Sequence, residues 1–521
     1  MKKLLATSLL LCLSSFSVLA ATPPNALVVA QSLDDVTSLD PAQGFELTSV
    51  QTFTNVYQRL VQSNPKKPTE LEPTLAVSWV STPKSLTITL RKGAEFASGN
   101  PVRPEDVAFS LARVVKLNLA PSFILTQLGW NKDNVDSHIQ KVADNKVKIT
   151  WDVNVGPSFV LSLLSAPVSS IVDEKTVMAH AKNGDFGHAW LNDHSAGSGP
   201  FQIRQYTPHE ALVLTANKTS SGGAPKLGMI LMKNVPDAAT RQLLIEQGDA
   251  DIARNLGADQ FQSLKDKPGV KTLALPYASL YYILFNTKAK NNPDLANPAF
   301  WKAAHWAFDY KGIAVDLMRG QFQVQQSFLP QGFKGALKDQ PYHYDPEKAK
   351  AILKKAGIKN PHFKLIVSNQ PPYLDVAQAL QASFARAGIK VELIPGVSSQ
   401  VSSEVNTHHF EATVSAWGPD YFDPNTNASA FAYNPENGSK TLAWRANWQI
   451  PELSKMTLAA RAETNEAKRT QMYETLQRKV RENSPIVVGL QNKKLVAIRS
   501  DLKGYVQGIM PDMVYYKNVS K

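Results

Sequence analysis

The chain has 521 residues, of which 43% are apolar and 19% are charged, and its formal net charge is +12. A soluble chain of this length is expected to form about two to four domains. Lysine and arginine are scattered among aspartate and glutamate, with no basic block and no alternation of basic and aromatic residues. The charge therefore predicts a solvated surface and no nucleic-acid partner.

The first 20 residues have the pattern of a secretory signal peptide. Lys2 and Lys3 precede an apolar run over 4–13, and small residues end the segment at Ala20. The run is too short for a membrane span, which needs about 20 apolar residues. Cys12, the only cysteine, follows three leucines and not a lipidation motif. We expect cleavage after Ala20 and a soluble periplasmic protein without cysteine.

Strand-like and helix-like segments alternate along the chain, which predicts an α/β protein. The helix expected over 345–356 has the firmest local pattern, because Asp345 is a good N-cap, Pro346 suits the first turn and Gly357 suits the end. The other clear segments are strands over 85–91, 363–367 and 389–393, a helix from Pro104 and a helix over 375–387.

Three stretches read as loops: 64–74, 217–226 and 418–440. The last is long, polar and contains several aromatic residues. Long ordered loops in compact domains are often functional, so this stretch is the first candidate for a binding site.

Motifs of enzyme chemistry are largely missing. The segment 438–441 resembles the end of a phosphate-binding loop, but Tyr433 stands where its first glycine belongs. Ser81 and Lys84 match a β-lactamase-type spacing by letters alone, with a proline between them and no companion motif. We predict no catalytic residue, no metal ligand and no cofactor. A triad or a metal site assembled from distant segments stays open at this point.

Several segments, taken together, resemble the large extracytoplasmic solute-binding proteins of family 5, the peptide and nickel class. The longest match covers 75–114, with Ala76, Ser78 and Trp79 leading into a strand and then Phe96 and Gly99. The other matches follow in the family's order: 39–41, 197–201, 248–252, 285–287, 344–349 and 417–424. They span almost the whole chain after residue 20.

The resemblance implies a bilobal periplasmic binding protein with an extra inserted domain. Domain I would comprise 21–55, 190–275 and 487–521, domain II would be the insertion over 56–189, and domain III would comprise 276–486. The ligand would lie in the cleft between the lobes. One family element, an aromatic pair, is missing where this chain has 217–221, which puts the local packing there in doubt.

The resemblance also implies the binding residues. Peptide binders of the family hold the ligand's α-ammonium with an aspartate in a W-x-x-D element, which corresponds here to Asp420 after Trp417. Asp420 alternatively shapes a turn beside Pro419. Trp417 is either a flat wall of the site or a core residue, and Tyr421 either lines the site or anchors the loop. Gly418 completes the predicted ligand-binding set.

The expected function is therefore the periplasmic substrate-binding component of an ABC importer, a monomer that captures a small peptide and delivers it to inner-membrane permease subunits. Two alternatives remain open: the same fold binding a nickel chelate, haem, an opine or a sugar derivative, and a secreted hydrolase. Arg254, Arg386 and Arg445 are candidates for closing the far end of the cleft.

Overall fold

The structure is a computed structural model that describes residues 22–434 and 441–521. The expected signal peptide, its cleavage site and Cys12 lie outside the described residues, as does the end of the 418–440 stretch, 435–440. What the sequence indicates for those segments stays a prediction.

The described residues contain nineteen strands. In chain order they are β1 Ala26–Gln31, β2 Val61–Ser63, β3 Leu71–Pro73, β4 Ala76–Thr82, β5 Ser85–Leu90, β6 Ile139–Ala143, β7 Lys146–Thr150, β8 Phe201–Thr207, β9 Ala211–Ala216, β10 Met229–Asn234, β11 Ile252–Ala253, β12 Val270–Phe285, β13 Phe322–Val324, β14 His362–Ser368, β15 Lys390–Gly396, β16 Ala412–Trp417, β17 Ile486–Arg499, β18 Val506–Gln507 and β19 Val514–Tyr515.

The same residues form seventeen α-helices, three 3-10 turns and a π-helical turn over Gly312–Leu317. The helices are α1 Leu47–Val56, α2 Pro104–Leu117, α3 Phe123–Thr126, α4 Val135–His138, α5 Pro157–Leu164, α6 Glu174–Ala179, α7 His188–Leu191, α8 Ala238–Gln247, α9 Ala258–Leu264, α10 Pro298–Ala307, α11 Pro346–Lys355, α12 Tyr373–Arg386, α13 Ser398–Asn406, α14 Pro424–Phe431, α15 Leu442–Arg445, α16 Pro451–Ala462 and α17 Glu466–Asn483. None of these helices alone is long and apolar enough to cross a membrane, although the bent pair over 104–117 and 120–126 would pass on length and composition.

One sheet of eleven strands runs through both lobes, in the order β15-β14-β16-β12-β17-β11-β1-β10-β9-β8, with β13 beside β17. The two long strands β12 and β17 extend through the parts of this sheet that belong to both lobes. Val270–Pro276 pairs with Lys493–Arg499, and Leu280–Leu284 pairs with Ile486–Gln491. The register breaks between Pro276 and Leu280. A bulge bends a strand locally, so the two lobes are joined at this irregular crossing.

A separate sheet, in the order β4-β5-β7-β6, belongs to the segment inserted into the first lobe. Apolar side chains gather in three large cores. The lobe-one core draws on both ends of the described chain, from Leu27 to Val519. The inserted core draws on residues between Ala42 and Ile171 and on Tyr421. The lobe-two core extends from Ala278 to Met513. The domain limits drawn from the sequence stay a prediction.

Most local expectations are confirmed. The helix that begins after Asp345 spans Pro346–Lys355, and the Asp345 side chain accepts a hydrogen bond from the Lys348 amide at 2.9 Å. The strand–helix–strand run is β14-α12-β15, with β14 and β15 parallel. One expectation is wrong: the 418–440 stretch is not all loop, because it contains α14. Asp423 caps that helix and Pro424 occupies its first turn.

The inserted segment is fixed to lobe one by a buried ion pair. The Arg113 guanidinium of α2 donates to both Asp40 oxygens, at 2.8 and 2.6 Å, and His188 Nδ1 lies 2.7 Å from the same carboxylate. Burial raises the pKa of Asp40, but the hydrogen bonds from Arg113 and His188 outweigh it and hold the pKa below its ordinary value.

Close packing explains a glycine in the 197–201 segment, one of the segments that resemble the family. A β-carbon at Gly199 would lie 2.5 Å from the Val56 carbonyl carbon, so α1 can approach only a residue without a side chain.

Candidate functional site

A cavity of about 230 Å³ lies where the two lobes and the inserted segment meet. Its wall is mostly apolar and includes two carboxylates but no lysine or arginine. The lining residues come from five separate parts of the chain: Gly44, Phe45, Leu47, Val50; Pro121, Ile124; Pro167, Val168; Ala416, Trp417, Gly418, Pro419, Asp420; Pro511 and Asp512. Clefts of this kind, apolar with a few polar groups, are typical small-molecule sites.

Strand β16 delivers the predicted site residues to this cavity. The strand ends at Trp417, which pairs with Leu280 of β12 and is therefore held by the central sheet. The chain then leaves the sheet and continues along the cavity wall to Asp420. The Trp417 indole N–H is buried and has no hydrogen-bond partner among the described residues. A buried donor without a partner is costly, and the residue that carries it lines the cavity.

The Asp420 carboxylate faces the cavity without a counter-ion. No basic nitrogen of the described residues lies within 4 Å of it, and the backbone N–H of Asp420 donates to Thr426 Oγ1 at 3.0 Å, which fixes the turn. Burial raises the pKa of Asp420 to about 7, and the hydrogen bond with the Thr426 side chain acts in the opposite direction. A half-buried carboxylate with no cation beside it favours a cationic ligand group.

The second carboxylate in the cavity wall is already neutralised. An oxygen of Asp512 lies 2.8 Å from Arg59 Nη2, and both side chains are at most 8% exposed. Arg59 also donates to the Ser165 carbonyl oxygen at 2.6 Å. Asp512 therefore needs no ligand cation, and the contrast between the two acids singles out Asp420.

Gly418 lies on the cavity wall, opposite Pro511. A β-carbon at Gly418 would sit 3.5 Å from Pro511 Cγ, an ordinary van der Waals contact. The glycine is thus not required by backbone strain. Its missing side chain leaves the space between β16 and Pro511 open and exposes the backbone to the cavity.

Tyr421 is not among the residues that line this cavity, and of the two roles left open by the sequence the structure fits anchoring of the loop. Its side chain is 2% exposed and belongs to the inserted core. The ring contacts Phe159 edge to face, with centroids 6.0 Å apart, and the hydroxyl donates to Gln127 Oε1 at 3.2 Å. The chain bends over 420–423 after β16 ends, and this bend places Asp420 at the cavity and Tyr421 in the inserted core.

Asp423 holds the end of the loop. Its oxygens accept hydrogen bonds from Arg469 Nη1 at 2.8 Å and from Arg469 Nη2 at 2.7 Å, and one of them also accepts the Asn425 amide at 2.8 Å. The guanidinium comes from α17 of lobe two. A bidentate pair of this geometry fixes position and orientation together.

Of the three arginines considered for the far end of the cleft, Arg445 lies beside the site, with its guanidinium 6.0 Å from the centre of the Trp417 ring. Arg254 is buried in lobe one and donates to the side-chain oxygens of Gln31 and Gln51. Arg386 is exposed on α12. Sequence reasoning missed the apolar wall residues outside the 416–420 stretch: Phe45, Leu47, Val50, Pro121, Ile124, Pro167, Val168 and Pro511. They carry no distinctive signal, because apolar residues look the same in a core and in a cavity wall.

Replacing Asp420 by asparagine is expected to stabilise the empty protein at pH 8. The folded-state pKa, about 7, lies above the ordinary value of 3.8, so ionisation of this acid opposes folding. The penalty is absent below pH 3.8, grows between pH 3.8 and 7 and is complete above pH 7. We expect a gain on the order of 1–3 kcal/mol at pH 8 and almost none at pH 4. Urea unfolding at both pH values measures it, and an equal gain at both would contradict the assignment.

Two lobes joined by two crossing strands, with a mostly apolar cavity between them, define a two-lobed ligand-binding protein. Residues 70–439 match the family described as "Bacterial extracellular solute-binding proteins, family 5 Middle". The match covers more than half of the chain, and the chain belongs to this family. The α/β bilobal fold expected from the sequence is confirmed by solved structures of the same architecture.

Relatives are similar over nearly their full length. The chain is 29% identical to the "Probable D,D-dipeptide-binding periplasmic protein DdpA" of Escherichia coli K12, over 96% of this chain and 95% of that protein. A dipeptide-binding protein of Pseudoalteromonas sp. SM9913, solved with Met-Leu, superposes with a TM-score of 0.80 at 20% identity, over 95% of this chain and 100% of that one. DppA of Helicobacter pylori, solved with the peptide STSA, gives 0.79 at 22% identity, over 95% and 98%.

Proposed function

We propose that this protein is the periplasmic substrate-binding component of an ABC importer, and that it captures a short peptide whose α-ammonium is held by Asp420. The observation that carries the proposal is the Asp420 carboxylate, which lines a mostly apolar cavity with no basic partner within 4 Å among the described residues. The peptide ligands in the names of the relatives support the same ligand class.

Binding follows from the chemistry of the wall. An ammonium group brought to Asp420 forms a charge-assisted hydrogen bond where water is largely excluded, which relieves the carboxylate's desolvation. Trp417 lines the cavity and contributes apolar ring surface to its wall. The apolar residues opposite, such as Ile124 and Val168, favour apolar peptide side chains.

The remaining parts of the proposal concern the protein's setting. The chain acts as a monomer, is exported by a signal peptide cut after Ala20, binds no nucleic acid, catalyses no reaction and delivers its ligand to inner-membrane permease subunits. The peptide ligands in the names of the relatives favour a peptide over a metal chelate as cargo.

Calorimetric titration with matched peptides tests the proposal. Alanyl-leucine and its N-acetylated form differ only in the ammonium group. We expect the free peptide to bind at least about tenfold more tightly, because acetylation leaves Asp420 buried without a partner. Equal affinities would remove Asp420 from its proposed role. A mass spectrum of ligand retained during native purification provides an independent check, since a peptide should be recovered.

Peptide affinity is expected to fall as the pH falls. Asp420 binds an ammonium group only when ionised, and burial places the pKa of Asp420 at about 7 in the empty protein. The ionised fraction decreases from about one half at pH 7 to about one hundredth at pH 5, so affinity should drop about 50-fold over this range. The peptide amine stays protonated throughout. Titration at half-unit intervals measures the profile, and Asp420→Asn should make it flat.

A further inference from the structure

We propose that Tyr421 is a positioning residue that latches the site loop, residues 418–423 between β16 and α14 of lobe two, into the inserted segment and so holds the cavity closed around Asp420. The proposal rests on the proposed function, since it assigns a role to the neighbour of the ligand-binding acid. It concerns a different property, however: the contact between two bodies of the protein and not the recognition of the ligand.

The burial of Tyr421 carries the argument. Every other buried apolar residue described in the inserted core lies between Ala42 and Ile171, and Tyr421 alone comes from more than 200 positions further along the chain. Its ring meets Phe159 edge to face at 6.0 Å, a favourable arrangement of two aromatic rings. A side chain of lobe two thus completes the core of another body.

The Tyr421 hydroxyl is satisfied within the same contact. It donates to Gln127 Oε1 at 3.2 Å and accepts from Asn425 Nδ2 at 3.0 Å, and Asn425 Nδ2 also lies 3.2 Å from Gln127 Oε1. Gln127 belongs to the inserted segment, whereas Tyr421 and Asn425 belong to the site loop and α14. The three polar groups form a triangle across the boundary, and separating the two bodies breaks two of its three bonds.

Cavities lie on either side of Tyr421 along the chain. Asp420, the residue before it, lines the ligand cavity. Phe422, the residue after it, lines a second cavity of about 350 Å³ together with Arg469 of lobe two and with Trp79 and Leu161 of the inserted segment. Among the described residues, Tyr421 is the buried apolar side chain of lobe two that belongs to the inserted core. The loop itself stays attached to lobe two through the Asp423–Arg469 pair.

Three residues of this loop therefore face three different partners. Asp420 faces the ligand, Tyr421 enters the inserted core and Asp423 binds α17. Opening the cavity between lobe two and the inserted domain therefore requires Tyr421 to leave its core. Asp420, which contacts the ligand, and Tyr421, which enters the inserted core, are adjacent along the backbone. Both contacts therefore favour the same closed arrangement.

Tyr421→Ala is expected to lower the affinity for all peptides by about tenfold or more, through faster dissociation, because a smaller closed fraction reduces apparent affinity in proportion. The ratio of affinities for alanyl-leucine and its N-acetylated form should stay as in the unsubstituted protein. Asp420→Asn should instead abolish that ratio. A Tyr421→Ala protein that loses the ratio would overturn the proposal, since Tyr421 would then act on the ligand itself.

The distance between two spin labels, one on the inserted segment and one on lobe two, measures the effect of the latch in the absence of ligand. The only cysteine lies in the segment expected to be removed, so two strongly exposed positions provide unique labelling sites. They are Asp144→Cys, in the turn between β6 and β7 of the inserted segment, and Lys455→Cys on α16. Pulsed electron paramagnetic resonance should show an added longer distance in Tyr421→Ala. An unchanged distance distribution would overturn the proposal, even in a protein that binds no peptide and so fails the proposed function.

Two further variants keep the test independent of folding defects. Gln127→Leu removes the hydrogen-bond partner from the inserted side and should shift the distances in the same direction as Tyr421→Phe, by less than Tyr421→Ala. Tyr310→Phe is the matched control: it removes a buried hydroxyl of the lobe-two core, which lies 3.2 Å from His305 Nδ1, and should leave both distances and affinity unchanged. A Gln127→Leu protein that behaves like Tyr310→Phe would contradict the latch.

Discussion

Asp420→Asn is expected to weaken the binding of a peptide with a free amino terminus by roughly 30-fold to several thousand-fold. Removing one partner of a buried, hydrogen-bonded charge pair costs about 2–5 kcal/mol, much of it because the other charge is left buried and unpaired. Asparagine keeps the size of the side chain and its contact with Thr426 while removing the charge. Calorimetric titration at pH 7.5 measures the effect.

The N-acetylated peptide is the control ligand for this substitution. It carries no ammonium group, so Asp420→Asn should leave its affinity unchanged or improve it, because the empty carboxylate no longer has to be buried. Unchanged affinity for the free peptide would exclude Asp420 as its partner. Asp512, the other acid of the cavity wall, would then be considered as the partner of the ammonium group, although its carboxylate is already paired with Arg59.

Asp423→Ala is expected to reduce the free energy of unfolding by about 3–5 kcal/mol. The substitution leaves the Arg469 guanidinium buried, at 13% exposure, without its carboxylate, and it also removes the N-cap of α14. A lost cap alone costs about 1 kcal/mol, so most of the effect comes from the unpaired arginine. Urea unfolding followed by circular dichroism measures the loss.

A surface ion pair provides the comparison. Glu452 and Lys455 of α16 lie 3.2 Å apart but are 81% and 75% exposed, and Glu452→Ala should change stability by at most about 0.5 kcal/mol. The double variant Asp423→Ala with Arg469→Met should recover part of the loss, because no charge then remains unpaired. If Asp423→Ala costs no more than Glu452→Ala, the pair does not anchor the loop. Peptide affinity should fall less than in Asp420→Asn.

Local rules predicted the elements whose ends are chemically marked. The helix after Asp345 was foreseeable because a capping aspartate and a first-turn proline act within one turn of the chain. The same pair, Asp423 and Pro424, begins α14, yet the abundance of asparagine and proline after it favoured a loop. The error arose because the composition of the stretch was given more weight than the helix-capping signal of Asp423 and Pro424.

The site was predicted in part, for reasons that differ from residue to residue. Trp417, Gly418 and Asp420 were identified through a resemblance, and the structure places all three on the cavity wall. For Tyr421 the sequence left open whether it lines the site or anchors the loop, because its direction depends on Phe159 and Gln127, which are more than 250 residues away. No local pattern encodes such a contact.

The amino-acid sequence by itself determined the periodic and capped segments, the α/β class and the order of the motifs, because these depend on neighbours a few positions apart. The tertiary structure alone decided which acid of the cavity is neutralised, Asp512 by Arg59, and which remains without a cation, Asp420. It also decided that Tyr421 serves the inserted core. Charge pairing and burial depend on distances between remote segments, and those distances exist only once the lobes have packed together.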